Sequence, residues 1–253
     1  MKTIFITGCT SGFGKAIAEK FAGTGNRLII TGRRQERLAE VKVQLETDYK
    51  VEVTALCFDV RDRQACLEAI DNLPSGWKNI DVLVNNAGLA VGRDTYDTAS
   101  LDDWDLMLDT NVKGLNYISK AIIPFMIERH SGHIINIGSI AGKEVYQYGN
   151  GYCASKFAVE AITQAMRIDL LPHNIKVTGI HPGAAETEFS LVRFKGDEEK
   201  AAAMYKGFTP LQANDIAEVV YYVTTQPAHV CINDLVIMPT AQASGIYFHK
   251  KVQ

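Results

Sequence analysis

The sequence predicts an α/β fold, doubly wound around a mostly parallel sheet. Two observations carry this. Short β-type runs alternate with longer segments of helical period along the 253 residues, and such alternation builds βαβ units. The runs are also apolar at nearly every position, as in strands covered by helices on both faces. The chain has no Pro/Gly/Ser linker, low-complexity tract or repeat of fixed period, so residues 1–253 read as one domain.

The expected strands are "KTIFIT" (2–7), "RLIITG" (27–32), "VEVTALCF" (51–58), "DVLVNN" (81–86), "HIINIG" (133–138), "KVTGIH" (176–181) and "DLVIMP" (234–239). Helical periodicity fills 13–24, 35–48, 62–72, 101–130, 151–170 and 214–225. Ligands then belong at the carboxyl ends of the strands. The exception is 183–213, a long segment that is polar in its middle and follows a strand end. A loop of that length on the ligand side reads as a substrate lid, or else as a surface insertion.

Composition narrows the possible functions. Apolar residues make up 47%, enough for a large core, and the net charge of −3 offers no basic stripe for nucleic acid. The cysteines, Cys9, Cys57, Cys66, Cys153 and Cys231, are odd in number and include no C-x-x-C. They suggest neither a disulfide framework nor a metal site, and a reducing cytoplasm suits them. No apolar run approaches the ~18 residues of a membrane helix. The start "MKTIFITG" reaches Thr7-Gly8 too soon for a signal peptide.

"TGCTSGFG" (Thr7–Gly14) joins the first strand to the first helix. Gly8, Gly12 and Gly14 allow a tight turn and the close approach of a pyrophosphate, and the helix N-terminus supplies free N–H groups. The setting is that of a Rossmann-type dinucleotide site; a bare glycine turn is the alternative. The second strand ends in "TGRRQER". It has no acid for a ribose 2′-hydroxyl, and Arg33 and Arg34 suit the 2′-phosphate of NADP(H). Asp59 in "FDV" is placed to meet adenine. "NNAG" (Asn85–Gly88) forms a short-side-chain turn at the fourth strand.

Tyr152 and Lys156 lie four apart in "GYCASKFAVE", on one helix face. They could be an exposed polar pair, or a proton donor with a cation that tunes it. "TGCTSGFG", "NNAG", Asn111 in "DTNVKG", Ser139 in "NIGSIAG", "YCASK" and "HPG" (His181–Gly183) occur together over the whole chain. In order and spacing they resemble the short-chain dehydrogenase/reductase family.

The resemblance implies an NADP-dependent enzyme. Tyr152 would be acid/base, with Lys156 lowering its pKa and holding the nicotinamide ribose. Ser139 would bind the substrate oxygen, and Asn111 would order a water beside the lysine. The cofactor would rest on Gly8, Thr10, Ser11, Gly12, Phe13, Gly14, Arg33, Arg34, Asp59, Val60, Asn86, Ala87, Gly88, Tyr152, Lys156, Pro182, Gly183 and Thr187. No metal is implied. The family's helices around 101–130 and 151–170 commonly pack into tetramers.

Within the family, 182–197 and 227–243 are similar to NADP-dependent 3-hydroxy acid dehydrogenases, with sulfoacetaldehyde reductases as relatives. The substrate would be a short aldehyde bearing an anion. Arg193 in the lid would clamp that anion; a surface arginine beside Lys195 is the alternative. In "YQYG" (Tyr146–Gly149), Tyr148 replaces a glycine expected in that branch and would add a donor to the pocket. Tyr148 with Arg193 suits a sulfonate, so the expected reaction is sulfoacetaldehyde to isethionate, with 3-hydroxy acids as the alternative. A non-catalytic NADP-sensing protein would be expected to lose Tyr152 or Lys156, and both are present.

Overall fold

A computed structural model describes residues 1–251; Val252 and Gln253 of the expected domain lie outside the described residues. Seven parallel strands form one sheet in the order β3-β2-β1-β4-β5-β6-β7. They are β1 (Thr3–Ile6), β2 (Arg27–Gly32), β3 (Val53–Cys57), β4 (Val82–Asn85), β5 (Gly132–Ile137), β6 (Ile175–Pro182) and β7 (Asp234–Ile237). The strand order reverses between β1 and β4, and the resulting crevice lies at the carboxyl ends of both.

Alternation within each strand builds a core on each side. Ile4 and Ile6 of β1, with Leu28 and Ile30 of β2, pack on α1 (Gly12–Ala22), α2 (Gln35–Tyr49) and α9 (Ala213–Thr224). Phe5 and Ile29 face the other way, toward α3 (Arg63–Asp71) and α5 (Leu115–Glu128). The strands lack polar positions because both pleat faces are covered. Among the buried exceptions, Asn85 donates to Asn136 Oδ1 and Ser119 Oγ, both at 2.9 Å, and Asn136 donates to Thr163 Oγ1 at 2.9 Å. This ladder ties β4 and β5 to α5 and to α6 (Asn150–Asp169).

Two expected elements differ. The helix read as 101–130 is α4 (Leu101–Leu108), a π-helical turn over Asp109–Gly114, and α5. Gly114 packs so tightly on Val60 that a Cβ there would lie 2.8 Å from Val60 Cγ2. The wide turn carries Asn111, and such turns concentrate at functional sites. Segment 183–213 holds two short helices, α7 (Glu188–Arg193) and α8 (Glu198–Ala203). Its base is stapled: Glu186 N–H donates to Leu211 O at 2.9 Å and Leu211 N–H to Ala184 O at 3.0 Å.

Candidate active site

The glycine loop is built against β4. Thr7 Oγ1 accepts the N–H groups of Asn86 (3.0 Å) and Ala87 (2.9 Å), and Asn86 Nδ2 donates back to Thr7 O at 2.8 Å. Gly8 has φ +73, and a Cβ there would stand 3.0 Å from Ala87 Cα. A Cβ on Gly14 would run into the Gly8 carbonyl. The bare backbone so exposed is a cradle that fits a pyrophosphate. It opens into a cleft of about 760 Å³ lined by Gly8, Thr10, Ser11, Gly12, Phe13, Arg33, Arg34, Asp59, Val60, Asn86, Ala87, Gly88, Pro182, Gly183 and Thr187. Gly14 lies behind this wall as the packing glycine.

At the nucleotide end the arginines divide their work. Arg34 donates to Thr10 Oγ1 (3.0 and 2.7 Å), to Ser11 Oγ (2.9 Å) and to Glu188 Oε2 (2.9 Å). Arg33 is more exposed, and its only carboxylate neighbour among the described residues is Asp59 at 4.0 Å. Asp59 is chelated by Arg61, whose hydrogen bond holds its carboxyl below the usual carboxylate range.

Three of the four expected catalytic residues, Ser139, Tyr152 and Lys156, line the cleft beside this cradle. Tyr152 (8% exposed) and Lys156 (6%) sit on the first turns of α6 and line the cleft with Ser139. Lys156 Nζ donates to Ile137 O at 2.9 Å and lies 5.9 Å from the Tyr152 ring centroid. Asn111 does not reach the cleft wall. Its amide donates to Leu89 O (2.8 Å) and Ser155 Oγ (3.0 Å), and its carbonyl accepts Leu89 N–H at 2.8 Å. Both amide hydrogens are spent, so its side chain braces the β4 end against α6.

Within the chain itself, burial dominates both Tyr152 and Lys156. Burial, the largest influence, pushes the Tyr152 phenol above its ordinary range, and the Tyr146 phenol adds to it; a Ser139 hydrogen bond and Arg193 pull it down. Burial also lowers Lys156, to about 8. Desolvation of the phenolate outweighs what the Ser139 hydrogen bond and the Arg193 charge return.

At the substrate end, one expected residue lies outside the cleft lining and another within it. Tyr148 does not line the cleft; it is partly exposed at φ +63, with Arg93 6.0 Å from its ring centroid. Tyr146 and Gln147 line the wall instead. Arg193 is no surface arginine. It is 6% exposed, with its guanidinium 5.5 Å from the ring centroids of both Tyr146 and Tyr152. Phe189 of α7 meets the Tyr152 ring edge-on at 5.5 Å.

Comparison with known proteins gives the family. The family description "short chain dehydrogenase" matches residues 2–197. The chain belongs to the short-chain dehydrogenase family. Among curated members, the NADP-dependent 3-hydroxy acid dehydrogenase YdfG of Salmonella typhi is 47% identical over 98% of this chain and 99% of its own. Sulfoacetaldehyde reductase 2 of Chromohalobacter salexigens is 46% identical over 95% of each. Among solved structures, the closed form of serine dehydrogenase complexed with NADP+ superposes at TM-score 0.91 with 46% identity, over 98% of this chain and 100% of that one.

Three features of this short-chain dehydrogenase escaped the sequence reading. Arg93, Tyr146 and Glu188 all line the cleft. Tyr146 stood in the quoted "YQYG", which does not say which of its tyrosines lines the cleft. Arg93 and Glu188 had no signal beyond following strand ends on the ligand side. The fourth finding is a cluster under β6. His181 Nε2 lies 2.6 Å from Asp234 Oδ1 and 3.1 Å from Glu160 Oε2. Lys143 already places its ammonium on both carboxylates, at 2.7 and 3.0 Å. The His181 ring explains Gly138 of "NIGSIAG", where a Cβ would strike it.

Proposed function

We propose that the protein is an NADP(H)-dependent oxidoreductase that interconverts a short, anion-bearing aldehyde and its alcohol. The observation that carries this is the Arg193 guanidinium 5.5 Å from the Tyr152 ring. An anion clamp beside a proton donor fixes which end of a short substrate reacts. NADP(H) would lie on the glycine cradle, its 2′-phosphate toward Arg33 and Arg34, and would supply or take the hydride. Tyr152 would give its proton to the carbonyl oxygen, and Ser139 would hold that oxygen. Lys156, a cation with three donors, would steady the ribose. Segment 183–213 serves as the lid over this pocket, supported by the contact of Phe189 with Tyr152.

The reading we favour for the substrate is a 3-hydroxy acid, or malonic semialdehyde in reverse. It is supported by the likeness to 3-hydroxy acid and serine dehydrogenases over nearly the whole chain. Sulfoacetaldehyde reduction to isethionate is the second reading, supported by the comparable likeness to a sulfoacetaldehyde reductase. Its other support, Tyr148, is not among the residues that line the cleft. The test measures loss of NADPH absorbance with malonic semialdehyde and sulfoacetaldehyde side by side, with NADH as control. The faster aldehyde picks the reading; no oxidation with either would favour the NADP-sensing alternative.

Five free thiols are consistent with a reducing cytoplasm, and no helix among the described residues is long and apolar enough to cross a membrane. A homotetramer is proposed through α4 and α6, where Leu101, Phe157 and Ile168 are exposed. Light scattering would return a monomer mass if that is wrong.

A further inference from the structure

Outside the cleft, three side chains of metal-ligating type converge at the end of β6. His181 belongs to β6, Glu160 to α6 and Asp234 to β7. One nitrogen of the histidine and one oxygen of each acid lie within 4.8 Å of one another. None of the three residues lines the cleft. The imidazole is 1% exposed, and its Nδ1 backs onto Gly138, so Nε2 is the nitrogen that faces the acids. Asp234 Oδ1 stands 2.6 Å from Nε2 and Glu160 Oε2 stands 3.1 Å from it. Yet neither Nε2 nor Glu160 Oε2, both buried, finds a hydrogen-bond partner among the described residues. Buried polar atoms seldom go without one.

Lys143 does not fill this role. Its ammonium lies 3.0 Å from Glu160 Oε1 and 2.7 Å from Asp234 Oδ2, the other oxygen of each carboxylate. Gln164 Nε2 also donates to Glu160 Oε1, at 2.6 Å. Each carboxylate is therefore held by one oxygen and directs its second oxygen at the histidine. Two carboxylates against one ammonium leave one negative charge. Burial, and then the charge of Lys143, hold His181 below its ordinary pKa, so the ring is neutral near pH 7 and does not supply the missing charge. A neutral ring can give an Nε2 proton to one carboxylate only, and the other oxygen stays bare. A divalent cation answers all three atoms and the charge together. One imidazole nitrogen with carboxylate oxygens is a donor set that suits Zn²⁺. Tetrahedral Zn²⁺, with bonds of about 2.0–2.1 Å, sets its ligand atoms roughly 3.3 Å apart. The observed contacts are shorter than that by less than about 1 Å. Asp234, with its side chain 41% exposed, has room to move and marks the side on which an ion enters.

We propose that His181, Glu160 and Asp234 bind a divalent transition-metal ion of the Zn²⁺ type, with solvent completing its shell from the Asp234 side. Lys143 and Gln164 orient the carboxylates from behind. The ion joins three elements around the active site without entering it. Glu160 stands one turn past Lys156 on α6. His181 directly precedes Pro182 and Gly183, which line the cleft. Asp234 begins β7, the edge strand of the sheet. Its role is to brace these elements; it takes no part in the hydride chemistry, and the proposal does not depend on which aldehyde is the substrate.

The test is Zn²⁺ binding to chelator-stripped protein, read by titration calorimetry and by melting temperature. It is run in a Cys57→Ser background, because the Cys57 thiol is exposed and could take the ion itself. The expected result is one Zn²⁺ per chain and a melting temperature that rises with Zn²⁺ and falls back with chelator. Mg²⁺, which keeps to oxygen ligands, should do neither. Loss of a partner behind a ligand typically costs about 10–100-fold in metal affinity. Asp234→Asn and His181→Gln each remove a ligand and should cost at least that, with the melting shift lost. Asp234→Asn changes an exposed edge position and decides the matter even if His181→Gln does not fold. No stoichiometric Zn²⁺, or binding and a melting shift unmoved by Asp234→Asn, would overturn the proposal and leave the cluster an ion-pair network. Neither readout involves NADPH or an aldehyde, so failure of aldehyde reduction would count against the functional reading alone.

Discussion

Glu188 Oε2 and Arg34 Nη1 lie 2.9 Å apart, and the other Glu188 oxygen lies 2.8 Å from Arg37 Nη1. One carboxylate therefore fastens α7, in the lid segment, to the loop that would read the nucleotide. Burial works to raise the Glu188 pKa, but Arg34 and Arg37 outweigh it and hold the carboxyl below its ordinary value. Each half-exposed pair of this kind contributes roughly 0.2–1 kcal/mol. Glu188→Gln is therefore expected to speed NADPH release about two- to five-fold. Stopped-flow nucleotide fluorescence measures this, and an unchanged release rate would show that the bridge does not hold the lid.

Tyr152→Phe keeps the ring packed against Phe189 and removes only the proton. Reduction should fall by a factor on the order of 10² to 10⁴, the usual worth of a positioned acid, with NADPH affinity changed little. Because burial raises the phenol pKa, alcohol oxidation by the wild type should climb with pH into the alkaline range. A flat profile would assign the proton to another group.

Lys156 trades stability for position. Its pKa falls to about 8 because its charge is buried, so the unfolded chain binds the proton more tightly. Between pH 8 and the ordinary lysine value, stability should therefore rise as pH rises; below pH 8 the full cost is present. At about 1.4 kcal/mol per pKa unit, Lys156→Met should gain up to about 3.5 kcal/mol at pH 7 while losing activity. Urea unfolding at neutral and alkaline pH checks both parts; a destabilised Lys156→Met would mean that its bond to Ile137 O outweighs desolvation.

His133 sets an acid limit. Thr178 spends its hydroxyl hydrogen on Ile232 O (2.7 Å), so His133 Nε2 must donate to Thr178 Oγ1 at 2.8 Å. The ring is neutral in the fold, its pKa lowered to about 3 chiefly by burial. The unfolded chain takes up this proton near the ordinary histidine value of 6.5, so stability is lost as pH falls from there toward 3. His133→Gln should flatten that part of the profile in urea titrations at pH 7 and pH 4.5. An unchanged slope would place acid sensitivity elsewhere.

Much of this was legible in the chain. Seven apolar runs and their alternation with helices determined the parallel sheet, because strands covered on both faces leave few polar positions. The glycine loop and the arginines after β2 could be placed from their positions at strand ends, while Ser139, Tyr152 and Lys156 were placed by the resemblance to the family, whose motifs are each local to a strand end or a helix turn. The tertiary structure alone decided the rest. Tyr146 lines the cleft and Tyr148 does not. Arg193 is buried rather than solvated because α7 packs on Tyr152. Arg93 joins it across about a hundred residues of sequence, through one backbone hydrogen bond from its neighbour Gly92. Contacts that distant leave no period or spacing in a sequence; they arise only when the carboxyl ends of the strands are brought to one edge of the sheet.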